Sequence, residues 1–257
     1  MGKFSNAIPV LIAVNIVMFL ITFWIPGTEN KMFETMALYF PQNEHFRYWQ
    51  LVTNMFMHGN FGHILFNMYG LWAFGTPLED MWGRNKFLVF YFLTGIGAAL
   101  IYTLVNYYQF NTVFTELIQL GISGEEIKNL LASYNPEAHT LVYDKAIFSS
   151  VPEQRLVNLA ELYHTPAVGA SGAIYGVLVA FGMSYPNAKL ALIFFPVPIA
   201  AKYFIPLLIG LDLFSGVTGV SLFGGGIAHF AHIGGAIIGF LLMWLWRKNK
   251  AAPGYVS

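Results

Sequence analysis

From Ala7 to Ile25 the chain carries no charged side chain, and five further apolar stretches of similar length follow it. A helix crossing a bilayer needs about 20 mostly apolar residues, since each rises about 1.5 Å through a hydrocarbon core about 30 Å thick. The stretches fall at about 7–25, 58–76, 86–107, 167–185, 201–217 and 228–246. The second closes at Pro77, the fifth follows the break at Pro196-Val197-Pro198, and the sixth ends in Arg247, Lys248 and Lys250. Composition agrees. Only 10% of residues are charged, against about 25% in a soluble domain, and the mean hydropathy is +0.57. The reading is an all-α polytopic membrane protein, a six-transmembrane-helix bundle over residues 1–257.

The same arithmetic excludes other classes. Lys+Arg 13 balances Asp+Glu 13, so no basic surface for nucleic acid is expected. With no cysteine there is no disulfide framework, thiolate nucleophile or Cys-based metal site. The first stretch is too long for a signal-peptide core and no small-residue cleavage site follows it, so it reads as a retained helix. Short loops that would face inward hold Lys3, Arg84, Lys86, Lys189, Lys202, Arg247, Lys248 and Lys250. The outward segments are longer and hold fewer, which favours both termini in the cytoplasm.

Residues 108–165, between the third and fourth stretches, hold more than half of the acidic residues. Ser123-Gly124-Glu125-Glu126 and Ser150-Val151-Pro152-Glu153 both have capping-box spacing, the second with Pro at the first helical position. This segment is therefore expected to be a helical extramembrane insertion.

Polar groups inside spans are candidate functional residues, because hydrocarbon makes them costly. Span two holds His63 and Asn67, four apart on one face. Span four opens Gly169-Ala170-Ser171-Gly172 with Tyr175 following, and span six holds His229, His232, Gly235 and Gly239. These three spans run the same way, and His63, Ser171 and His232 lie near the start of each, at similar depth. A serine beside a neutral histidine can act as nucleophile and general base. The alternatives are a small-residue packing seam at Gly172/Gly176 and Gly235/Gly239, a proton path, or metal ligands. His229 and His232 lack an acid nearby in sequence, so metal-dependent hydrolysis is not favoured and no metal is expected. Asp212, the one carboxylate deep in a span, is expected to make an interhelical hydrogen bond. His58 is expected at the membrane surface, pointing away from His63.

The ordered set resembles the rhomboid family of intramembrane serine proteases: His63-x-x-x-Asn67, Gly169-x-Ser171-Gly172-x-x-Tyr175, and Ala231-His232-x-x-Gly235-x-x-x-Gly239, all on even-numbered spans. The resemblance covers the chain outside the insertion and the extreme termini. It implies a rhomboid-like bundle with Ser171 as nucleophile and His232 as base, with no acidic third member. It also implies an oxyanion hole from the Ser171 amide, Asn67 and His63. Tyr175 would pack on His232, and Gly172, Gly235 and Gly239 would support the pair. His229 becomes an entrance-side residue. The implied substrates are single-pass or polytopic membrane proteins, with access between spans two and five. Because a helix must unwind to free its carbonyls, their spans should carry helix-weakening residues near the cut, and the glycines of Gly219–Gly226 suit a mobile cap. No cofactor is implied. A non-catalytic, client-binding relative is the competing reading. Two departures stand out: Gln50 follows Trp49 where the family often has Arg, and the 108–165 insertion exceeds the short third loop of minimal members. The expected location is a bacterial cytoplasmic membrane, with the site opening to the outer side.

Overall fold

A computed structural model describes residues 6–136, 138–192, 195–220 and 228–251. The first apolar stretch forms α1 (Ala7–Trp24). Its first N–H groups lack partners inside the helix, as at any helix start. Here those of Ala7 and Ile8 donate to the buried carboxylate of Glu79, at 3.1 Å for Ile8. The chain then passes through α2 (Glu29–Met36) and α3 (Gln50–Thr53).

The second stretch starts later than the sequence suggests and runs further. Asn60 caps α4 (Phe61–Gly70) by accepting from the His63 N–H at 2.8 Å, which leaves His58 outside the helix. Pro77 does not end the run. A π-helical turn over Leu71–Gly75 leads into α5 (Thr76–Trp82), where Pro77 occupies the first turn, the position at which its missing N–H costs least.

The third stretch becomes α6 (Arg84–Gln119), well beyond the expected end near residue 107. Phe110 and Leu117 on its extension are buried with Ile127 and Leu130 of α7 (Gly124–Ala132) and Leu156 and Leu159 of α8 (Glu153–His164). This second core is separate from the one among α1, α4, α6 and the later helices. The capping box at Ser123/Glu126 forms. The one proposed at Ser150 does not: Pro152 precedes α8 with an extended ψ, and no side chain caps it.

The fourth stretch gives α9 (Ser171–Ser184), four residues shorter at its start than expected, because Ala167 pairs as a β-bridge with Leu38. An antiparallel hairpin of β1 (Lys189–Leu192) and β2 (Phe195–Ala200) follows, where the sequence reading had only a proline break. Then come α10 (Ala201–Thr218) and α11 (His229–Ala251). Among the described residues, α1, α6, α10 and α11 are long and apolar enough to cross a membrane, and α9 is a shorter apolar helix.

The closest packing is between α9, α11 and α6. A Cβ on Gly235 would lie 1.8 Å from the Gly172 carbonyl oxygen, and one on Gly239 would lie 2.6 Å from the Gly176 Cα. Only glycine permits backbones this close. Thr94 and Ala98 of α6 lie where Cβ atoms on Gly176 and Gly172 would stand.

Candidate active site

The segment that delivers Ser171 is fixed from the first loop. Leu38 and Ala167 exchange both backbone hydrogen bonds at 2.9 Å, and the Gly169 N–H donates to the Asn54 carbonyl at 2.9 Å. Gly169 has φ +124°, a conformation that L side chains avoid. That turn places Ser171 at the first position of α9, among amide groups that have no intrahelical acceptor and at the positive end of the helix dipole.

Across the glycine seam, the first turn of α11 brings His232 to Ser171, with Nε2 2.8 Å from Oγ. The Tyr175 ring stacks on the His232 ring at 4.2 Å and 11°. The opposite ring nitrogen, Nδ1, lies 3.2 Å from Oδ1 of Asp212 on α10. The same oxygen takes a 2.6 Å bond from His229 Nδ1, and the Tyr175 hydroxyl donates to the other carboxylate oxygen. Asp212 does bridge helices, as expected, but it does so onto His232 itself. The side chain of His229, expected on the entrance side, is largely buried against Asp212. The acid that His229 and His232 lack in sequence thus arrives from another helix. The three residues offer ligand atoms within 4.8 Å of one another, a set that could hold a metal ion, and each of these atoms is engaged in the hydrogen bonds just described.

His63 approaches from α4. Its Nε2 lies 2.7 Å from where a Cβ on Gly169 would stand, and that Cβ position is 3.5 Å from Ser171 Oγ. The Gly59 N–H faces His63 Nδ1 at 3.4 Å, and with Nδ1 accepting that bond a neutral ring carries its proton on Nε2, the nitrogen beside Gly169. Asn67 is buried one turn on and donates to the His63 carbonyl at 2.8 Å. His58 is not at the surface: it is 1% exposed, with its ring centroid 5.0 Å from that of His63. Beside Ser171 lies a cavity of about 20 Å³ bordered by Asn54, Gly95, Ala98 and Tyr102. That is room for about one water.

Three first turns, of α4, α9 and α11, therefore meet around one hydroxyl. An imidazole acceptor contacts the hydroxyl, and N–H donors and helix N-termini surround it. Such a site can take a proton from Ser171 and hold negative charge beside it.

Gln50, the departure from the family pattern, is wholly buried. Its amide oxygen accepts from the N–H groups of Tyr39 (3.3 Å) and Arg47 (3.1 Å), and its nitrogen donates to the carbonyls of Glu34 (3.1 Å) and His45 (2.8 Å). A neutral amide suits a position facing both donors and acceptors, so no cation is needed there. Of the cap expected over Gly219–Gly226, Gly219 is the left-handed C-cap of α10, and positions 221–226 lie outside the described residues.

Sequence reasoning missed the placement of Asp212. The available signal was an ionisable group inside an apolar run, facing two histidines three apart on one helical face.

Helices long and apolar enough to cross a bilayer define an integral membrane protein, and a part-buried serine–histidine contact lies among them. A family model for the rhomboid domain matches residues 45–134 and 138–249, and the chain belongs to the rhomboid family. That match runs through α7 and α8 as well. The chain is 27% identical over 198 residues to the mitochondrial rhomboid protein 1 of Saccharomyces cerevisiae, covering 77% of this chain and 42% of that protein. It is 27% identical over 208 residues to the rhomboid protease AarA of Providencia stuartii, covering 76% and 54%. With the rhomboid protease GluP of Bacillus subtilis it shares 25% over 187 residues, covering 69% and 35%. The chain thus spans about half or less of the length of these relatives. They are mitochondrial as well as bacterial, so they lend no support to the expected bacterial cytoplasmic membrane.

Proposed function

We propose that this protein is an intramembrane serine endopeptidase that cuts membrane-protein substrates in or near their transmembrane segments. The observation that carries the reading is the 2.8 Å contact between Ser171 Oγ and His232 Nε2 where three helix N-termini converge. In the proposed reaction, Ser171 Oγ attacks the scissile carbonyl carbon while its proton moves to His232 Nε2. The developing oxyanion is held by the Ser171 N–H, His63 Nε2–H and the Asn67 amide. His232 passes the proton to the leaving amine, which departs and leaves an acyl-enzyme. A water, for which the adjacent cavity has room, then attacks the acyl carbon as its proton moves to His232, and His232 returns that proton to Ser171 Oγ as the acyl–oxygen bond breaks and the acid leaves.

The layout proposed with this chemistry has six spans, the second being α4 with its π turn and α5, and the fourth α9. Both termini lie in the cytoplasm, and residues 108–165 form the extramembrane insertion. At 14 residues, α9 rises only about 21 Å, short of the about 30 Å core. With its Ser184 end at the inner surface, Ser171 would lie below the outer one, where a water-accessible pocket can form among protein groups. A substrate helix must unwind there to free its carbonyls, which favours Gly or Pro near the cut.

The test is cleavage of a model transmembrane substrate in proteoliposomes by the unmodified protein and by Ser171→Ala. Cleavage by the unmodified protein alone is expected. Cleavage by both would remove Ser171 from the chemistry, and cleavage by neither, in folded protein, would favour a client-binding role. Since the chain has no cysteine, single introduced cysteines in the 108–165 segment and after Lys250 read the topology directly: labelling of both from the same side overturns it.

A further inference from the structure

Behind His232, Asp212 gathers donors that the proposed serine–histidine chemistry does not call on. Asp212 is 3% exposed, in the middle of an apolar helix. An uncompensated carboxylate there would be strongly disfavoured. Its two oxygens take three donors: the Tyr175 hydroxyl on one, and Nδ1 of His229 and Nδ1 of His232 on the other. Two of those donors are already tied to Ser171's surroundings. His232 presents its other nitrogen to Ser171 Oγ, and Tyr175 stacks on the His232 ring. The approach of α10 is also built. Gly216, one turn after Asp212, is where a Cβ would come 3.2 Å from the Cβ of His229, so the helices meet where the carboxylate faces both histidines.

Building on the protease reading above, we infer that Asp212 is a positioning residue for His232, turning the serine–histidine pair into a carboxylate–imidazole–hydroxyl chain supplied by three helices. A neutral imidazole carries one ring proton. The carboxylate at Nδ1 draws that proton to Nδ1, which leaves the Nε2 lone pair directed at Ser171. When Nε2 takes the serine proton during attack, the resulting imidazolium lies against a fixed negative charge in a low-dielectric site, where the attraction is larger than in water. Tyr175 serves twice, restraining the ring by stacking and the carboxylate by its hydroxyl. His229 occupies the remaining position on Oδ1 and keeps Asp212 from rotating away.

The experiment compares the full-length protein with Asp212→Asn, Asp212→Glu and Ser171→Ala in proteoliposomes, reading kcat and KM on a transmembrane substrate and the rate of Ser171 labelling by a fluorophosphonate. An amide at 212 can donate to Nδ1 and favour the wrong tautomer. The expectation for Asp212→Asn is a loss of kcat of about 10²-fold or more with KM within about two-fold, and labelling slowed in parallel. Asp212→Glu should recover part of both. Unchanged kcat and labelling in Asp212→Asn, with the unmodified protein active and Ser171→Ala inactive, would overturn the role of Asp212 and leave the protease reading intact. An inactive, unlabelled unmodified protein would overturn both. Should Asp212→Asn fail to fold, ¹⁵N-histidine NMR of the unmodified protein decides, with His232 assigned by its loss in His232→Asn. A neutral ring protonated at Nδ1 is expected, and protonation at Nε2 refutes the inference.

Discussion

Gly169 and His63 occupy one another's space: a Cβ on Gly169 would stand 2.7 Å from His63 Nε2. The contact depends on φ +124° at Gly169, which in turn depends on its N–H reaching the Asn54 carbonyl. Gly169→Ala would therefore add both backbone strain and a clash, the strain alone costing about 1–3 kcal/mol. The expected result is a folded protein whose cleavage rate falls about 10²-fold, as an ångström-scale displacement of reacting groups would produce. Circular dichroism and the rate on a transmembrane substrate check it; wild-type turnover would show that this contact does not order the site.

Gln50 anchors the same frame from further away. Gln50→Ala would leave the N–H groups of Tyr39 and Arg47 and the carbonyls of Glu34 and His45 without this partner. A buried polar group losing its partner costs about 1–3 kcal/mol. Thermal unfolding in detergent should fall accordingly. Gln50→Glu should fare no better, since a carboxylate cannot donate to the two carbonyls. A midpoint unchanged in both variants would contradict the network.

Much of this was legible before any coordinates, and the exceptions share a cause. Apolar runs announced the helices because burial in hydrocarbon is a property of each segment alone. The glycines at 172, 235 and 239 announced a seam because close approach demands a missing side chain. What stayed hidden was set by contacts between segments. The extension of α6 to Gln119 depends on Phe110 and Leu117 finding Leu130 and Leu156. Helix continuation through Pro77 depends on a π turn that the proline alone does not encode. Asp212 reaches His232 through the crossing of α10 and α11, and the burial of His58 depends on the cap at Asn60 that begins α4 after it.

The glycine seam offers a matched pair of variants. Gly235→Ala would drive a methyl to 1.8 Å from the Gly172 carbonyl, whereas nothing lies within 4 Å of a Cβ on Gly210. Both residues are helical. Gly235→Ala should part α11 from α9, breaking the Ser171–His232 contact, and lose both thermal stability and cleavage. Gly210→Ala should be neutral or gain up to about 1 kcal/mol from helix propensity. Equal behaviour of the two would mean that the seam does not set the distance between serine and histidine.

The two side chains proposed as oxyanion donors, His63 and Asn67, differ in their present commitments. Nε2 of His63 lies against Gly169, two residues before Ser171, while the Asn67 amide donates to the His63 carbonyl and has a second N–H to offer. Removing either donor, by His63→Phe or Asn67→Ala, should lower kcat about 10- to 10³-fold with little change in KM, the pattern of an interaction made only in the transition state. Steady-state kinetics in proteoliposomes decides each separately. An unchanged kcat in Asn67→Ala would reduce the hole to His63 and the Ser171 amide.

Acid should loosen α7 before it touches α9 and α11. At the start of α7 the Ser123 N–H donates to Glu126 at 2.6 Å, and the Glu126 N–H returns a bond to Ser123 at 3.2 Å. The bond from the Ser123 backbone, then its side chain, holds the Glu126 carboxyl below its ordinary range. A carboxyl lowered in the folded state contributes stability that is present above its unfolded value and lost as pH falls through the folded one. Once the intrinsic slowing of exchange in acid is divided out, the protection of residues 124–132 should therefore fall on acidification below the ordinary carboxylate range. In Glu126→Gln, whose amide does not titrate, that pH dependence should shrink while exchange in α9 and α11 stays as it was. Identical acid profiles in the two proteins would show that another group governs the fraying of α7.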